Sequence, residues 1–208
     1  MIAIVDYGMG NLHSVRHSLS MVGADARVTK DPKDLERAER IVFPGVGAFG
    51  ECVKNLRASG MLEALTREVL EKKKPMFGIC VGMQVLADTG EELGTHEGLG
   101  WIPGRVRRLR GEGVRVPHVG WNSARITSDH FVFRDLPPDA TFYYVHSYVL
   151  EPAGNAAVAP NVVAAVCDYG EQFVCAIAKE NIVATQFHPE KSQDAGLTLL
   201  DRFLRWKP

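Results

Sequence analysis

Pro75-Met-Phe-Gly-Ile-Cys80-Val-Gly-Met-Gln-Val-Leu86 is the stretch whose reading decides the fold. Met76 to Ile79 is a short apolar run and reads as a buried strand that ends on Cys80. Val81 to Ala87 reads as the start of a helix. Gly78 and Gly82 stand two positions to either side of the cysteine, which is the spacing of a nucleophile elbow with cysteine in place of serine. A strand that turns directly into a helix crowds its own backbone, and residues without a Cβ fit beside such a turn at low cost. The turn lifts the sulfur clear of the sheet and leaves it at a helix N-terminus, where partial positive charge favours the thiolate. By itself the motif does not separate a nucleophile from a cysteine packed at a strand end.

Working outward, the N-terminal half alternates strand and helix. Ile2 to Val5 is a continuous apolar run suited to a strand covered on both faces. The loop Asp6 to Asn11 follows it, and then a helix runs from about Leu12 to Val22. Gly8 and Gly10 invite a dinucleotide-binding reading, but the third glycine of that fingerprint would fall at His13, so the match fails. A second strand is expected at Ala26 to Thr29, with a break at Asp31-Pro32. Arg40 to Phe43 is a third buried strand. It runs into Pro44-Gly-Val-Gly-Ala-Phe-Gly50, a loop able to present backbone N–H groups to a ligand. Helices are expected at Glu51 to Ala58 and Met61 to Lys72, and Lys72 to Lys74 reads as a solvated cap on the second. This alternation implies a parallel sheet with helices on both faces, whose ligands bind beyond the carboxyl ends of the strands.

From Thr89 the pattern changes. Arg105 to Arg110 alternates as the wet face of an antiparallel strand would, Phe142 to Val149 and Val162 to Cys167 read as strands, and Phe173 to Ala178 with Ile182 to Phe187 form a hairpin. A closing helix is expected from about Gln193 to Trp206. The fold class is therefore an α/β three-layer sandwich with a mostly parallel central sheet and an antiparallel extension, one domain over 1–208.

Composition narrows the function. The formal charge of −1 offers no global attraction to nucleic acid or an anionic membrane. Four cysteines (Cys52, Cys80, Cys167 and Cys175) lack C-x-x-C spacing and are expected to be reduced. The chain opens directly on a strand with no leader segment, so a cytoplasmic location is expected. No His, Cys and acidic group has metal-ligand spacing, so neither a metal nor a cofactor is expected.

The chemistry gathers at Ala184-Thr-Gln-Phe-His188-Pro-Glu190. His188 and Glu190 lie two apart, and in extended chain such residues point to one side. A carboxylate beside an imidazole holds its tautomer and stabilises the imidazolium, completing a nucleophile–base–orienter set with Cys80. The other six histidines show no comparable pairing. Such a set proposes acyl transfer through a thioester. Its tetrahedral oxyanion needs preorganised donors, each worth roughly 3–4 kcal/mol. The N–H of Val81 supplies one, and the glycine-rich loop supplies another at Val46 or Gly47.

Gly-Ile-Cys-Val-Gly-Met-Gln together with Phe-His-Pro-Glu-Lys-Ser resembles the class I (triad) glutamine amidotransferases. Asp6 to Asn11, Pro44 to Gly50, Val119-Gly-Trp-Asn122 and Tyr144-Val-His-Ser-Tyr148 are similar to the glutaminase subunits of imidazole glycerol phosphate synthase, so the likeness covers nearly the whole chain. The resemblance implies hydrolysis of glutamine to glutamate and ammonia, the ammonia passing to a (β/α)8-barrel cyclase partner in a heterodimer that serves histidine biosynthesis. It also implies that Gln84 and Gly47 help bind glutamine, and that Tyr7, Asn11, Trp121 and Lys191 lie at or near the partner. The glutaminase of pyridoxal phosphate synthesis is the nearest alternative, and Met83-Gln84 and Val119 to Asn122 argue against it. A cysteine hydrolase of the same architecture would not need His188-Pro-Glu190 after a hairpin. A non-enzymatic flavodoxin-like module would tolerate loss of Cys80.

Overall fold

The computed structural model describes residues 1–111, 113–137, 140–154 and 162–208. Its elements are β1 (Ile2–Val5), α1 (Leu12–Met21), β2 (Ala26–Thr29), α2 (Pro32–Arg37), β3 (Arg40–Gly45), α3 (Phe49–Ala58), α4 (Met61–Thr66), β4 (Met76–Cys80) and α5 (Val81–Gln84). The second half holds β5 (Ala87–Gly90), β6 (His96–Glu97), β7 (Ile102–Arg108), β8 (His118–Ser123), β9 (Arg125–Ile126), β10 (Thr141–His146), β11 (Tyr148–Pro152), β12 (Val163–Asp168), β13 (Gln172–Lys179), β14 (Ile182–Thr185) and α6 (Gln193–Arg205).

Five strands in the order β2-β1-β3-β4-β14 run parallel. All four residues of β1, β4's five and β14's four are buried, as a sheet covered on both faces requires. The sheet then turns antiparallel through β13, β11 and β7, while β8 and β10 form a separate two-stranded ribbon. Helix α1 packs with α6, and α2, α3 and α4 pack with one another. The inner stripe of α6 is Gly196, Leu199, Leu200 and Phe203, a three- and four-residue spacing that makes one face. Phe203 meets Phe77 of β4 with ring centroids 5.3 Å apart. Among the described residues no helix is long and apolar enough to cross a membrane.

Four local expectations are corrected. Asp31-Pro32 starts a helix rather than breaking the chain, because the Asp31 carboxylate accepts the Lys33 N–H at 2.9 Å and Pro32 occupies the first turn. The run 142–149 is not one strand: β10 ends at His146 and β11 begins at Tyr148 in the other sheet. The helix after Cys80 lasts only four residues, since the chain returns to strand at Ala87. Little macrodipole can accumulate over so short a helix, so stabilisation of the sulfur must come from side chains.

The fourth correction concerns Lys72 and Lys74, which hold a buried carboxylate rather than merely capping the helix in solvent, while Lys73 stays exposed and pairs with the exposed Glu180. Glu68, fully buried, lies 2.8 Å from Lys72 Nζ and 2.8 Å from Lys74 Nζ, and accepts from Arg67 Nε at 3.2 Å. Lys74 also donates to the carbonyls of Leu35 and Glu36, tying α2 to the start of β4. Burial opposes the Glu68 charge, yet these cations outweigh it and hold the carboxyl down to about 2 from its ordinary 4.5. A depressed folded pKa means that the stabilisation is complete above 4.5 and is withdrawn as the pH falls towards 2. In urea titrations the stability gap between wild type and Glu68→Gln should be constant above about pH 5 and narrow below it, whereas a pH-independent gap would contradict the clamp.

Candidate active site

Cys80 ends β4 with φ 54° and ψ −112°, a backbone region that a side-chain-bearing residue enters only under constraint. The constraint comes from its neighbours. A Cβ on Gly82 would lie 2.1 Å from the Phe43 carbonyl oxygen, and one on Gly78 would lie 2.9 Å from Ala184 Cβ. The elbow is thus clamped between β3 and β14. The register pairs Gly45 with Cys80 and Thr185 with Ile79, so the three strands end together around the sulfur.

Next to β14 the chain supplies the base. His188 donates its N–H to the Tyr143 carbonyl at 2.9 Å, and Ser192 Oγ donates to the His188 carbonyl at 2.6 Å. A 3₁₀ turn at Pro189–Lys191, in place of the expected extended run, then folds Glu190 back. Its Oε1 lies 2.8 Å from His188 Nδ1, with both side chains almost fully buried at 2% and 1% exposure. A carboxylate accepts, so Nδ1 carries the proton and Nε2 is the nitrogen left for chemistry. Nε2 is buried without an aligned partner among the described residues. Burial disfavours the charged ring, but Cys80 and Glu190 outweigh it and raise the His188 pKa to about 10. The arrangement favours an imidazolium at His188.

Cys80, Val81, Gln84, His188, Val46, Gly47 and Lys191 line one cavity of about 220 Å³, so the structure brings together every catalytic, oxyanion and substrate-binding candidate except Glu190, which stands behind His188. Tyr7, Asn11 and Trp121 lie outside it. Trp121 is 47% exposed on β8 and meets Tyr143 edge-on at 6.2 Å, while Lys191 Nζ sits 5.7 Å from the Tyr143 ring centre, so these two candidates share a patch. Asn11 is half-buried at the start of α1. Tyr7 does not fit a surface role. It is 5% exposed, packs on Phe43, and its hydroxyl donates to the Pro44 carbonyl at 3.0 Å, bracing the glycine-rich loop from behind.

Several contributors escaped the sequence reading. Glu92 lines the cavity and its Oε2 accepts the Phe49 N–H at 2.9 Å, anchoring a carboxylate at the start of α3. Only its acidic type within an otherwise unstructured stretch hinted at a role. Cys52, buried on α3, also donates its thiol to the Val46 carbonyl at 3.3 Å. In a trans peptide the C=O and the following N–H point oppositely, so this bond turns the Gly47 N–H away from α3. Burial pushes the Cys52 thiol up to about 12, keeping it a donor. Gln186 lies fully buried with Nε2 3.7 Å from Cys80 Sγ. His118 and His146 also meet, at 3.1 Å across the β8–β10 ribbon, as two imidazoles rather than an imidazole on a carboxylate.

A cysteine on a strained elbow, a buried histidine–carboxylate pair and a small cavity ringed by backbone define a cysteine-dependent acyl-transfer site. The family profile "Glutamine amidotransferase class-I" matches residues 3–206. The imidazole glycerol phosphate synthase subunit HisH of Neisseria meningitidis serogroup B is 45% identical over 217 residues, covering 98% of this chain and 99% of that protein. The subunit of the same name from Geobacter sulfurreducens is 48% identical over 208 residues, covering 97% of each. PurLQS from Thermotoga maritima shares the fold with a TM-score of 0.73 at 16% identity, covering 98% of this chain and 97% of that one. The chain belongs to the class-I glutamine amidotransferase family.

The elbow's tolerance can be measured. Gly82→Ala should cost about 1–3 kcal/mol or more, because the atom it meets is backbone and cannot step aside. Urea midpoints and the rate of Cys80 alkylation should both fall, and a variant of wild-type stability would show that the elbow is not clamped.

Proposed function

We propose that this chain is the glutaminase subunit of an imidazole glycerol phosphate synthase. The observation that carries the reading is the Cys80–His188–Glu190 set at the cavity, joined to near full-length identity of 45–48% with HisH subunits. Glutamine enters the cavity with its carboxamide against Cys80. Sulfur attacks the carbonyl carbon, and the negative oxygen that forms is held by the N–H of Val81 and by the loop at Val46 and Gly47. His188 gives its proton to the departing nitrogen, so ammonia leaves and a thioester remains. Water, deprotonated by His188, then attacks the thioester and releases glutamate and the thiol. Glu190 keeps the imidazole oriented through both half-reactions. Glu92 fits the substrate ammonium, being the carboxylate among the described residues that line the cavity, whereas Glu190 stands behind His188.

Ammonia released into bulk water is protonated and loses its nucleophilicity, so a second active site has to receive it directly. A (β/α)8-barrel cyclase docked over the carboxyl ends of the strands does this in histidine biosynthesis. Trp121, Tyr143 and Lys191, beside the cavity, fit that contact. The chain acts as one domain over 1–208, in the cytoplasm, where its reduced cysteines suit the compartment.

Treatment with a glutamine-analogue electrophile tests the reading. Cys80 should be the labelled residue, slowly in the isolated chain and faster once the cyclase is added. Cys80→Ser should abolish glutamine-dependent synthesis while leaving ammonia-dependent synthesis by the cyclase intact. Labelling at another residue, or full turnover by the chain alone, would overturn it.

A further inference from the structure

The Tyr148 carbonyl accepts two hydrogen bonds, from His146 at Nδ1 (3.1 Å) and from Gln84 Nε2 (2.9 Å). A carbonyl can only accept, so the proton of His146 is on Nδ1. Burial, then the neighbouring His118, push the His146 pKa down to about 3, so the ring is neutral and its Nε2 is a lone pair. Nδ1 of His118, 3.1 Å away, must therefore donate to it. Burial brings the His118 pKa down to about 4, so this ring too is neutral and its own Nε2 accepts, facing Asn122 Nδ2 at 3.4 Å. Asn122 also donates to the Asp168 carbonyl at 3.1 Å. Tyr169 stacks on His118 at 3.8 Å between ring centres and Tyr144 stacks at 4.8 Å, so the chain of donors is enclosed by aromatic rings. One carbonyl thus places every proton from Asn122 to Tyr148.

The same carbonyl decides Gln84. One amide hydrogen goes to Tyr148 and the other to Gln186 Oε1 at 2.9 Å, while Gln186 Nε2 reaches towards Cys80 Sγ at 3.7 Å. Both hydrogens of Gln84 are committed, and no donor among the described residues reaches its Oε1. A residue in the cavity wall therefore has an acceptor, and no donor, to offer.

We propose that Asn122, His118 and His146 are positioning residues that hold the Tyr148 carbonyl in place, and that this carbonyl together with Gln186 keeps the Gln84 amide in one orientation, so that this part of the cavity accepts an N–H-bearing group and turns away an anion. Resting on the glutaminase reading, this gives the pocket a preference for the substrate's nitrogen over the carboxylate oxygen of the glutamate product, which meets Gln84 Oε1 as acceptor against acceptor.

Two measurements on the full chain test it. In a long-range proton–nitrogen spectrum of the ring nitrogens, both His118 and His146 should be Nδ1–H tautomers, unchanged between about pH 8 and pH 5. Either ring found as the Nε2–H tautomer, or charged in that range, overturns the proposal whether or not the chain hydrolyses glutamine. In steady-state assays, His146→Phe should raise KM for glutamine about tenfold or more with kcat within about threefold, and tighten inhibition by glutamate relative to that KM. His146→Asn, which keeps a donor near the Nδ1 position, should recover most of the loss. Equal falls in kcat and kcat/KM, or no rescue by Asn, would also overturn it. Absence of any glutaminase activity in the wild-type chain with the cyclase added would instead refute the functional reading and leave the tautomers to decide the proton chain.

Discussion

The structure depends on the packing of Gly82 against the Phe43 carbonyl. Backbone approaches backbone there more closely than any side chain would allow, with 2.1 Å left for a Cβ. That contact presses the second residue after the nucleophile into β3 and forces Cys80 to φ 54°. A residue held in such a region stores about 1–3 kcal/mol, which the surrounding sheet must over-determine. β4 can supply this because it is the strand between β3 and β14, bonded on both sides and buried throughout. The glycine-rich loop ends β3 beside the same contact, so one close approach sets both the sulfur and the backbone expected to face it.

Around this elbow, electrostatics replace what a helix terminus cannot give. The four residues of α5 contribute little field, and the stabilising charge comes instead from a buried imidazole backed by a buried carboxylate. Burying two ionisable groups is favourable only when each is paired. Glu190 pairs with Nδ1, and the backbone on either side is pinned by Tyr143, Ser192 and Ser18, whose hydroxyl donates to the Glu190 carbonyl at 3.3 Å. The 3₁₀ turn makes this possible by shortening the path from His188 to Glu190.

Much of this was legible in the chain. Buried parallel strands announce themselves as short apolar runs, and Ile2–Val5 and Met76–Cys80 lie where the sequence placed them, as does the half-exposed edge strand Ala26–Thr29. His-Pro-Glu beside an elbow cysteine carried the chemistry because spacing of two is short enough to read in one dimension. What stayed hidden depends on contacts distant in sequence. His118 and His146 are 28 residues apart and meet only because β8 and β10 pair in that register. Gln84 and Gln186, 102 apart, share a hydrogen bond that no local pattern encodes. The family resemblance set Tyr7 at or near the partner, yet the ring turns inward onto Phe43. The lysine run looked solvated because Glu68 sits one turn earlier in a helix, and only the fold shows that turn to be buried.

His188 rests as an imidazolium between Cys80 and Glu190. Following the His188 ring nitrogens by NMR across pH, in wild type and in Cys80→Ala, tests it most directly. A raised folded pKa means that the ring stays charged below that value and loses its proton only above it. In wild type the ring should remain doubly protonated until the pH approaches about 10. In Cys80→Ala it should give up that proton at markedly lower pH, since the sulfur is the foremost of the raising influences. A wild-type ring that titrates near the ordinary 6.5, or one whose titration is unmoved by loss of Cys80, would contradict the account.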